Sequence, residues 1–541
     1  MVEQHRKYIF VTGGVLSGLG KGITAASIGN ILKARGYKIF LQKLDPYLNY
    51  DAGTLNPGEH GEVFVTDDGA ETDLDLGHYE RFTDESFSQA SSIMTGRVYS
   101  EVIAKERRGD FLGKTVQIIP HVTNQVKEMA MQGGEQANVD VVITEVGGTV
   151  GDYEAMHFLE AIRQIKTDMG YDNVMYIHVV FLPWLDVTKE LKTRPAQYSV
   201  RDLQGLGIQP DAIMCRSDHP IPRNGVEKIA LAANLAPSAV VPLETSKTVY
   251  DVPLTLENYG FGDLIADRLK LTNKKADLSE WRNLVMKILS DKPKVTVGLI
   301  AKYTTMEDTY LSVFEALKAA GWYHNLDVII KWIDAENLES KESPINELMA
   351  GCDGIVVPGG FGARGIEGKI KAAQFAREHQ IPYLGLCLGM QIATVEFARN
   401  VLGWDDANST EFNEKSHHPV IHIMEYQKKI TQKGGTMRLG AYPCLLMRGT
   451  KAYEAYKTPD ISERHRHRFE FNNDYRKDFE KAGMILSGIS PDRELVEIVE
   501  LKDHPWFVAS QFHPEFKSRP HRPHPLFRDF IGAVIKNSSL I

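Results

Sequence analysis

Two short segments of the 541-residue chain combine residue types and spacings that suit chemistry, and the first is rich in glycine. VTGGVLSGLGKG, residues 11–22, follows an apolar run and precedes a helical pattern, as expected of a loop whose backbone N–H groups cradle phosphates. It departs from the usual G-x-x-x-x-G-K-[ST] pattern because Val15 replaces the first glycine and Gly22 replaces the metal-binding hydroxyl residue. The loop therefore predicts a bound nucleoside triphosphate whose metal ligands lie elsewhere.

Carboxylates in the first half of the chain are the candidates for those ligands. GAETDLDLGHYERF (69–82) and TEVGGTVGD (144–152) supply them, and Asp75 and Glu145 are the strongest. Glu145 ends a predicted strand, at the carboxyl edge where open α/β sheets bind ligands, and carboxylate oxygens suit Mg²⁺. A solvated loop charge is the alternative for each acid taken alone.

The second chemical segment is GLCLG, residues 385–389. A nucleophile on a tight strand-to-helix turn needs small neighbours, as in the G-x-nucleophile-x-G elbow. Cys387 would be exposed at the strand end, where the backbone N–H of Leu388 and the helix dipole favour a thiolate and bind an oxyanion. A buried structural cysteine between two packing glycines explains the pentapeptide equally well.

QFHPEF, residues 511–516, favours the nucleophile over the structural cysteine. His513 and Glu515 stand at i and i+2 of a predicted strand, so the carboxylate can orient the imidazole that takes the thiol proton. Backbone N–H groups of PGGFGARG (358–365) could complete an oxyanion hole. The alternative is an edge strand with outward polar residues, but a cysteine elbow combined with H-P-E is rarer than either motif alone. We therefore predict a Cys387-His513-Glu515 triad.

The bulk composition excludes several function classes. A net charge of -9 with 43% hydrophobic and 25% charged residues argues against nucleic acid or an anionic membrane as the main partner. No apolar run approaches the roughly 18 residues of a membrane span, and we expect no signal peptide. The four cysteines are widely spaced, which predicts neither disulfides nor a zinc site and favours the cytoplasm.

The elements that must position these residues alternate between apolar β-branched runs and helical patterns, which is typical of parallel α/β layers. The predicted strands of the first half are 8–11, 38–45, 139–146, 176–183 and 212–218. Those of the second half are 295–303, 327–334, 352–360, 382–389 and 506–515. Between them a charged stretch that ends in proline predicts a linker. The expected division is a first domain over 1–270, a linker over 271–294 and a second domain over 295–541.

The second half resembles the class I glutamine amidotransferases, which hydrolyse the glutamine amide through a thioester. The whole chain is similar to the CTP synthase family at many separated motifs, among them VTGGVLSGLGKG, KLDPY, DLDLGHYERF, EVGGTVGD, GLCLGMQ, NSTEF, GGTMRLG, ERHRHRFE and QFHPEF. The resemblance implies an α/β fold with a P-loop-like, parallel-sheet amidoligase domain followed by a class I amidotransferase domain. It also implies that ATP phosphorylates the 4-oxygen of UTP and that ammonia from glutamine displaces the phosphate to give CTP.

The resemblance further implies a role for individual positions. The ATP-binding positions are Gly18, Leu19, Gly20, Lys21, Gly22, Ile23 and Asp75, with Lys43 as a second phosphate contact, and Mg²⁺ would be held by Asp75 and Glu145. The UTP- and CTP-binding positions are Ser17, Asp152, Tyr153, Glu154, Lys192, Thr193, Arg194, Pro195, Ala196, Gln197 and Lys228. The glutamine-binding positions are Gly360, Leu388, Gly389, Met390, Gln391, Glu411 and Arg468, and His60 matches a position on the ammonia route.

The partners implied in the same way are UTP, ATP, L-glutamine or free ammonia, GTP as an allosteric activator, and CTP as an inhibitor. A homotetramer is expected, and filament formation stays open. Arg364 and Arg438, each in a glycine-rich loop, are candidate contacts for GTP, with a solvated turn arginine as the alternative. Two competing functions are another ATP-dependent amidoligase of the cobyrinate or dethiobiotin type and a non-catalytic scaffold. The combination of DLDLGHYERF with a cysteine domain disfavours the former, and the intact triad disfavours the latter.

Overall fold

The computed structural model describes residues 6–16, 18–302, 306–340, 344–424, 427 and 434–538. The chain forms two compact units, one of Met1–Ala52 with Asp75–Leu289 and the other of Gly53–Leu74 with Ser290–Ile541. Both units have the α/β architecture predicted from the sequence. In the described ranges no helix has both the length and the apolar composition that crossing a membrane requires.

The first unit contains a seven-stranded parallel sheet. Its strands are β1 (Lys7–Gly13), β2 (Ile39–Asp45), β3 (Ser92–Met94), β4 (Val141–Val146), β5 (Val174–Phe181), β6 (Ala212–Ser217) and β7 (Val240–Glu244). Their order across the sheet is β7-β6-β5-β1-β4-β2-β3, with parallel neighbours throughout. The connections reverse direction around β1, so the carboxyl ends of β1, β4 and β2 form the switch point at which such sheets bind ligands.

Helices connect these strands. They are α1 (Lys21–Ala34), α2 (Asp75–Thr83), α3 (Thr95–Arg108), α4 (Thr123–Gln136), α5 (Met156–Met169), α6 (Arg194–Gly205), α7 (Arg223–Ala233), α8 (Val252–Asn258), α9 (Phe261–Arg268) and α10 (Ser279–Leu289). Helix α10 lies inside the 271–294 stretch. Its Trp281 is buried, donates its indole N–H to the Tyr250 carbonyl at 2.7 Å and packs on the Phe82 ring, so α10 is part of the first unit's core.

The second unit contains a nine-stranded mixed sheet. Its strands are β8 (Lys294–Ala301), β9 (Asp327–Asp334), β10 (Gly354–Val357), β11 (Tyr383–Leu386), β12 (Arg438–Leu446), β13 (Asp460–His467), β14 (Met484–Ile489), β15 (Val496–Leu501) and β16 (Phe507–Ser510). Their order is β9-β8-β10-β11-β16-β15-β14-β12-β13. The pairs from β9 to β16 are parallel and the remaining pairs are antiparallel. The carboxyl ends of β10, β11 and β16 therefore meet at one edge.

The helices of the second unit pack on this sheet over two apolar clusters. They are α11 (Leu311–Tyr323), α12 (Ile345–Met349), α13 (Ile366–Glu378), α14 (Leu388–Asn400), α15 (Lys451–Tyr456), α16 (Arg476–Lys481) and α17 (Pro525–Asn537). A smaller sheet pairs Asn408–Ser409, Pro419–Ile423 and Phe469–Phe471. Helix α14 is buried from Leu388 to Ala398, and its buried residues include the polar Gln391, Thr394 and Glu396.

The segment 53–74 packs with the second unit, although both of its chain neighbours belong to the first. It contains a helical turn, Pro57–His60, and a hairpin of Phe64–Val65 with Glu71–Thr72. Its Glu62 carboxylate accepts hydrogen bonds from the Ser312 backbone N–H, at 3.1 and 3.2 Å, and from the Ser312 hydroxyl. These buried contacts link residues 250 positions apart, so the sequence pattern could not reveal them.

Candidate active sites

The glycine-rich loop between β1 and α1 lines a cavity of about 310 Å³ at the carboxyl end of the first sheet. The residues that line this cavity are Gly18, Leu19, Gly20, Lys21, Gly22, Ile23, Lys43, Asp45, Tyr47, Asp75, His78, Glu145, Gly147 and Gly148. All the positions predicted for ATP and for the metal therefore lie together. Ser17, predicted to contact the pyrimidine nucleotide, lies outside the described residues.

Val15 has a backbone conformation that glycine adopts more readily than other residues. Its φ is +86°, in the left-handed region that β-branched residues avoid. Such a conformation costs roughly 1–3 kcal/mol and persists where the surrounding structure holds it. The loop thus keeps the path of a glycine at this position despite the change in side chain.

Gly22 faces the two acids predicted to hold the metal. A Cβ on Gly22 would collide with the Asp75 carboxylate and would lie 3.2 Å from Glu145 Oε2. The space that a serine or threonine would occupy in the usual motif is therefore filled by Asp75. This explains the second departure of the loop, because the carboxylate stands where the hydroxyl would be.

Two lysines balance these acids. Lys43 Nζ lies 2.6 Å from Asp75 Oδ2 and 3.2 Å from Asp45 Oδ1, and Lys21 Nζ donates to the Gly148 carbonyl at 2.9 Å. Burial and the neighbouring Asp75 charge raise the pKa of Glu145, and burial lowers the pKa of Lys21. Two crowded carboxylates of this kind favour a divalent cation. Mg²⁺ needs one or two carboxylates because phosphate and water complete its shell, although no group of three or more ligand side chains occurs within the described residues.

The positions predicted for UTP and CTP fall into two groups. Thr193 and Lys228 line a second cavity of about 310 Å³ in the first unit, together with Lys189 and Trp184. The Ala196 side chain is fully buried in an apolar cluster, so only its backbone can meet a ligand. The other residues of that stretch are Lys192, which pairs with Glu190, and Arg194, Pro195 and Gln197 in the first turn of α6.

Asp152, Tyr153 and Glu154 are exposed and lie after β4, where Tyr153–Ala155 forms a 3-10 turn with Asp152 as its N-cap residue. Asp152 Oδ2 accepts a hydrogen bond from the Thr149 N–H at 3.1 Å, and Tyr153 is 93% exposed. None of these three residues lines the cavity that contains Thr193 and Lys228. The two groups of positions therefore do not line one cavity within the described chain.

In the second unit, Cys387 occupies a strained turn between β11 and α14. Its φ of +51° and ψ of -100° lie outside the regions that a non-glycine residue prefers. The flanking glycines are required by close approach: a Cβ on Gly385 would lie 2.7 Å from the Gly389 carbonyl group, and a Cβ on Gly389 would collide with the Val357 carbonyl oxygen. The turn has the strand-to-helix geometry predicted from GLCLG, and its strained backbone distinguishes Cys387 from an ordinary buried cysteine, although Cys387 is 5% exposed and not open to solvent as predicted.

His513 and Glu515 lie beside this elbow, but the prediction that a strand carries them was wrong. Strand β16 ends at Ser510, and Pro514–Lys517 forms a 3-10 turn for which His513 is the N-cap residue. The turn brings His513 Nδ1 within 2.7 Å of Glu515 Oε1. Burial lowers the pKa of His513, but the Glu515 carboxylate and the Cys387 thiol outweigh it and raise that pKa to about 10.

The third part of this site is the glycine loop after β10. A Cβ on Gly359 would lie 2.9 Å from His513 Cε1, so the imidazole packs directly on this backbone. Gly359, Gly360, Cys387 and His513 line one cavity, and Leu388 begins α14, where the first backbone N–H groups have no partner within the helix. The cavity therefore has backbone donors suited to an oxyanion next to the sulfur.

Comparisons with known proteins identify the family of each half of the chain. The family model described as CTP synthase N-terminus matches residues 7–271, and the model described as glutamine amidotransferase class-I matches residues 305–533. A CTP synthase of Carboxydothermus hydrogenoformans is 58% identical over 534 residues, covering 99% of each chain. The chain belongs to the CTP synthase family. Its members are glutamine-hydrolysing ligases, and this member matches the family models of both domains.

One further curated relative and one solved structure are also similar to this member of the CTP synthase family. A CTP synthase of Bacillus subtilis is 55% identical over 530 residues, covering 98% of this chain and 99% of that one. A solved structure described as a Trypanosoma brucei CTPS glutaminase domain with bound acivicin is 40% identical and covers 45% of this chain and 95% of that one, with a TM-score of 0.43.

The positions predicted to bind glutamine differ in whether they reach the cavity beside Cys387. Glu411 Oε1 accepts a hydrogen bond from the Gly362 N–H at 3.1 Å, and Gly360 lines the cavity. The Met390 side chain is fully buried in the core, so only its backbone can meet a substrate. Arg468 donates to Gln427 Oε1 at 2.6 Å and to Thr436 Oγ1 at 2.9 Å, and it is absent from the residues that line this cavity.

Of the two arginines predicted for GTP, Arg364 is exposed and Arg438 is buried. Arg438 begins β12, is 5% exposed and pairs with Glu470 at 3.1 Å and Glu497 at 2.7 Å, so its assignment to a mobile, phosphate-binding turn was wrong. A neighbouring glycine pair suggested a loop, whereas the arginine itself is held inside a sheet. Arg364 is exposed and pairs with Glu336 at 3.0 Å.

The sequence reasoning left several residues of these sites without a role. Asp45, part of the quoted KLDPY motif, lies 3.2 Å from Lys43, and Tyr79 donates its hydroxyl to Glu145 Oε2 at 2.5 Å. The spacing of Tyr79 four residues after Asp75 on one helix was the available signal, since such residues share a face. Arg466, which pairs with Glu71 at 2.8 Å and lines the Cys387 cavity, had no comparable local signal.

Proposed function

We propose that this member of the CTP synthase family makes CTP by phosphorylating the 4-oxygen of UTP with ATP and displacing that phosphate with ammonia. Glutamine hydrolysis at Cys387, His513 and Glu515 supplies the ammonia. The observation that supports this best is that each compact unit contains a full set of groups for one half of the reaction. Acids and lysines face the phosphate loop in the first unit, and the strained cysteine faces His513 in the second.

In the first unit, Asp75 and Glu145 would hold Mg²⁺, and Lys21 and Lys43 would contact phosphate oxygens. The metal ion, when bound with ATP, neutralises charge on the transferring phosphoryl group. Lys43 lies between Asp45 and Asp75, so its ammonium is oriented before a nucleotide enters. The N–H groups at the start of α1 face the same cavity, and the helix dipole there favours the phosphates.

In the second unit, His513 takes the proton of the Cys387 thiol, and the sulfur attacks the amide carbon of glutamine. A C–S bond forms while the carbonyl π electrons move to oxygen, where backbone N–H groups stabilise the charge. The C–N bond then breaks, and the proton on His513 passes to the departing nitrogen, which leaves as ammonia. Water, deprotonated by His513, attacks the thioester and releases glutamate while the sulfur regains its electron pair.

Regulation follows from the same proposal. GTP would activate the glutamine reaction, with Arg364 as a phosphate contact, and CTP would inhibit by sharing the basic triphosphate positions of UTP. We expect a change at Glu154 to relieve CTP inhibition more than it raises the KM for UTP, because the base ends of the two nucleotides diverge. A homotetramer is the proposed assembly.

Comparison of the two nitrogen sources tests this proposal. Cys387→Ala should abolish glutamine-dependent CTP formation, monitored by absorbance, and leave ammonia-dependent formation near the wild-type rate. Cys444→Ala is a matched control, because Cys444 is also buried in the second unit but lies away from the Cys387 cavity. Equal loss of both activities in Cys387→Ala would contradict the two-site mechanism.

A further inference from the structure

Gln511 is a buried side chain of the glutamine site that the triad mechanism does not use. It begins the QFHPEF motif, follows directly after β16 and stands two residues before His513. The residue is completely buried. Its amide lies between the side chains of Cys387 and Gln391, so it touches the sulfur that attacks the substrate.

The hydrogen bonds around Gln511 determine which end of its amide faces the sulfur. Gln391 Nε2 donates to the Phe469 carbonyl at 3.1 Å, and a carbonyl can only accept. The same nitrogen donates to Gln511 Oε1 at 3.4 Å. Gln511 therefore offers its oxygen to Gln391 and its N–H group to Cys387 Sγ, at 3.7 Å.

We propose that Gln511 is a further catalytic residue of the glutaminase site, donating a hydrogen bond to the Cys387 sulfur and stabilising the thiolate. Gln391 acts as a positioning residue, because it fixes the amide orientation of Gln511. This inference rests on the proposed role of Cys387 as the nucleophile. A donor that meets the charged form of a group favours that form, and hydrogen bonds to charged groups are the strong ones.

The other groups described around the Cys387 sulfur differ from Gln511 in how they interact with the thiolate. Cys387 Sγ donates weakly to the Arg466 carbonyl at 3.8 Å, an acceptor that favours the thiol rather than the thiolate. Among the described residues, His513 and Lys369 interact electrostatically with Cys387, and Arg466 and Glu515 line the same cavity. Burial strongly lowers the pKa of Lys369, which donates to the Pro358 carbonyl at 3.3 Å. Once His513 has delivered its proton to the leaving nitrogen, Gln511 is a neutral donor that still contacts the sulfur.

The test measures the ionisation of Cys387 directly. Gln511→Met keeps much of the side-chain volume and removes the donor, and Gln374→Leu, which alters a surface glutamine of α13, is the matched control. Alkylation of Cys387 by iodoacetamide is followed against pH by mass spectrometry of its peptide, with Cys387→Ala as the blank. We expect the alkylation profile of Gln511→Met to move upward by about one pH unit and glutaminase kcat/KM at neutral pH to fall about tenfold or more. The KM for glutamine should change much less than kcat.

Each outcome of this test bears on the proposal. An unchanged alkylation profile in Gln511→Met would overturn it, even with lower activity, since a merely structural role would reduce activity without moving the thiol ionisation. If the methionine variant loses its thermal unfolding transition, Gln511→Asn, which keeps an amide but withdraws it from the sulfur, carries the same expectation. The proposed triad fails separately, because only its failure would leave glutamine-dependent activity in Cys387→Ala.

Discussion

Gly22→Ala is the substitution that best tests why the phosphate loop lacks a hydroxyl residue. Helix propensity alone would favour the change, because alanine stabilises a helix by about 1 kcal/mol relative to glycine. The structure predicts the opposite, because the added Cβ would overlap the Asp75 carboxylate and lie 3.2 Å from Glu145 Oε2. Overpacking of this kind costs typically about 1–3 kcal/mol, so the first unit should lose roughly 0–2 kcal/mol of stability in net terms.

The effect on catalysis should exceed the effect on stability. Displacing Asp75 from its position 2.6 Å from Lys43 disturbs both the metal acid and the phosphate-binding lysine. Loss of one preorganised charge contact lowers kcat by about 100- to 1000-fold. We therefore expect ammonia-dependent CTP formation to fall by about that factor, with a higher Mg²⁺ requirement, while basal glutaminase activity persists.

The assay is CTP formation from UTP, ATP and ammonia over a range of Mg²⁺ concentrations, combined with urea unfolding. Gly205→Ala is the matched control, since Gly205 ends α6 with no atom within 4 Å of the position a Cβ would take. Near-wild-type synthesis by Gly22→Ala at low Mg²⁺ would refute the reasoning, because it would show that a side chain at residue 22 does not disturb the Asp75 carboxylate.

Four other predictions concern separate features of the chain. Val15→Gly should raise the free energy of unfolding, measured in urea, by about 1 kcal/mol or leave it unchanged. Glycine tolerates the φ of +86°, but its greater freedom in the unfolded chain offsets part of the gain. A clear decrease in the free energy of unfolding would contradict the inference that Val15 is strained. Glu515→Gln should remove the stability that the raised pKa of His513 provides. This contribution is complete below the ordinary histidine pKa of 6.5 and disappears as pH rises to about 10, so the difference in unfolding free energy between wild type and variant should shrink across that window. A difference that grows with pH would refute this prediction. Arg438→Met should lower the free energy of unfolding by about 3–5 kcal/mol in thermal or urea unfolding, because it leaves Glu470 and Glu497 buried without their cation. Arg364→Ala should reduce GTP stimulation of the glutamine reaction and leave the ammonia reaction unchanged. A GTP response that is lost in Arg438→Met and kept in Arg364→Ala would return the effector role to Arg438.

The predictions from sequence succeeded where short patterns carry the physical cause. A glycine-rich turn after an apolar strand must expose N–H groups at a helix start, and two glycines around a cysteine permit a backbone that other residues would block. These causes act within a few residues, so the glycine-rich turn before α1 and the tight turn at Cys387 could be predicted, as could the α/β class. The H-P-E motif shows the limit, because its residues lie in a 3-10 turn rather than on the predicted strand.

The long-range contacts of these residues became visible in the folded chain alone. Whether Arg438 or Arg364 is buried depends on strands and loops far away in sequence, and Glu470 and Glu497 enclose the former. The grouping of segment 53–74 with the second unit likewise rests on contacts such as Glu62 with Ser312. The reactive residue types and the local turns that carry them were readable from short sequence patterns, whereas burial and pairing across hundreds of residues set their partners and orientation. Burial is a property of the packed fold, and no local spacing encodes which distant carboxylate or backbone carbonyl will face a given side chain.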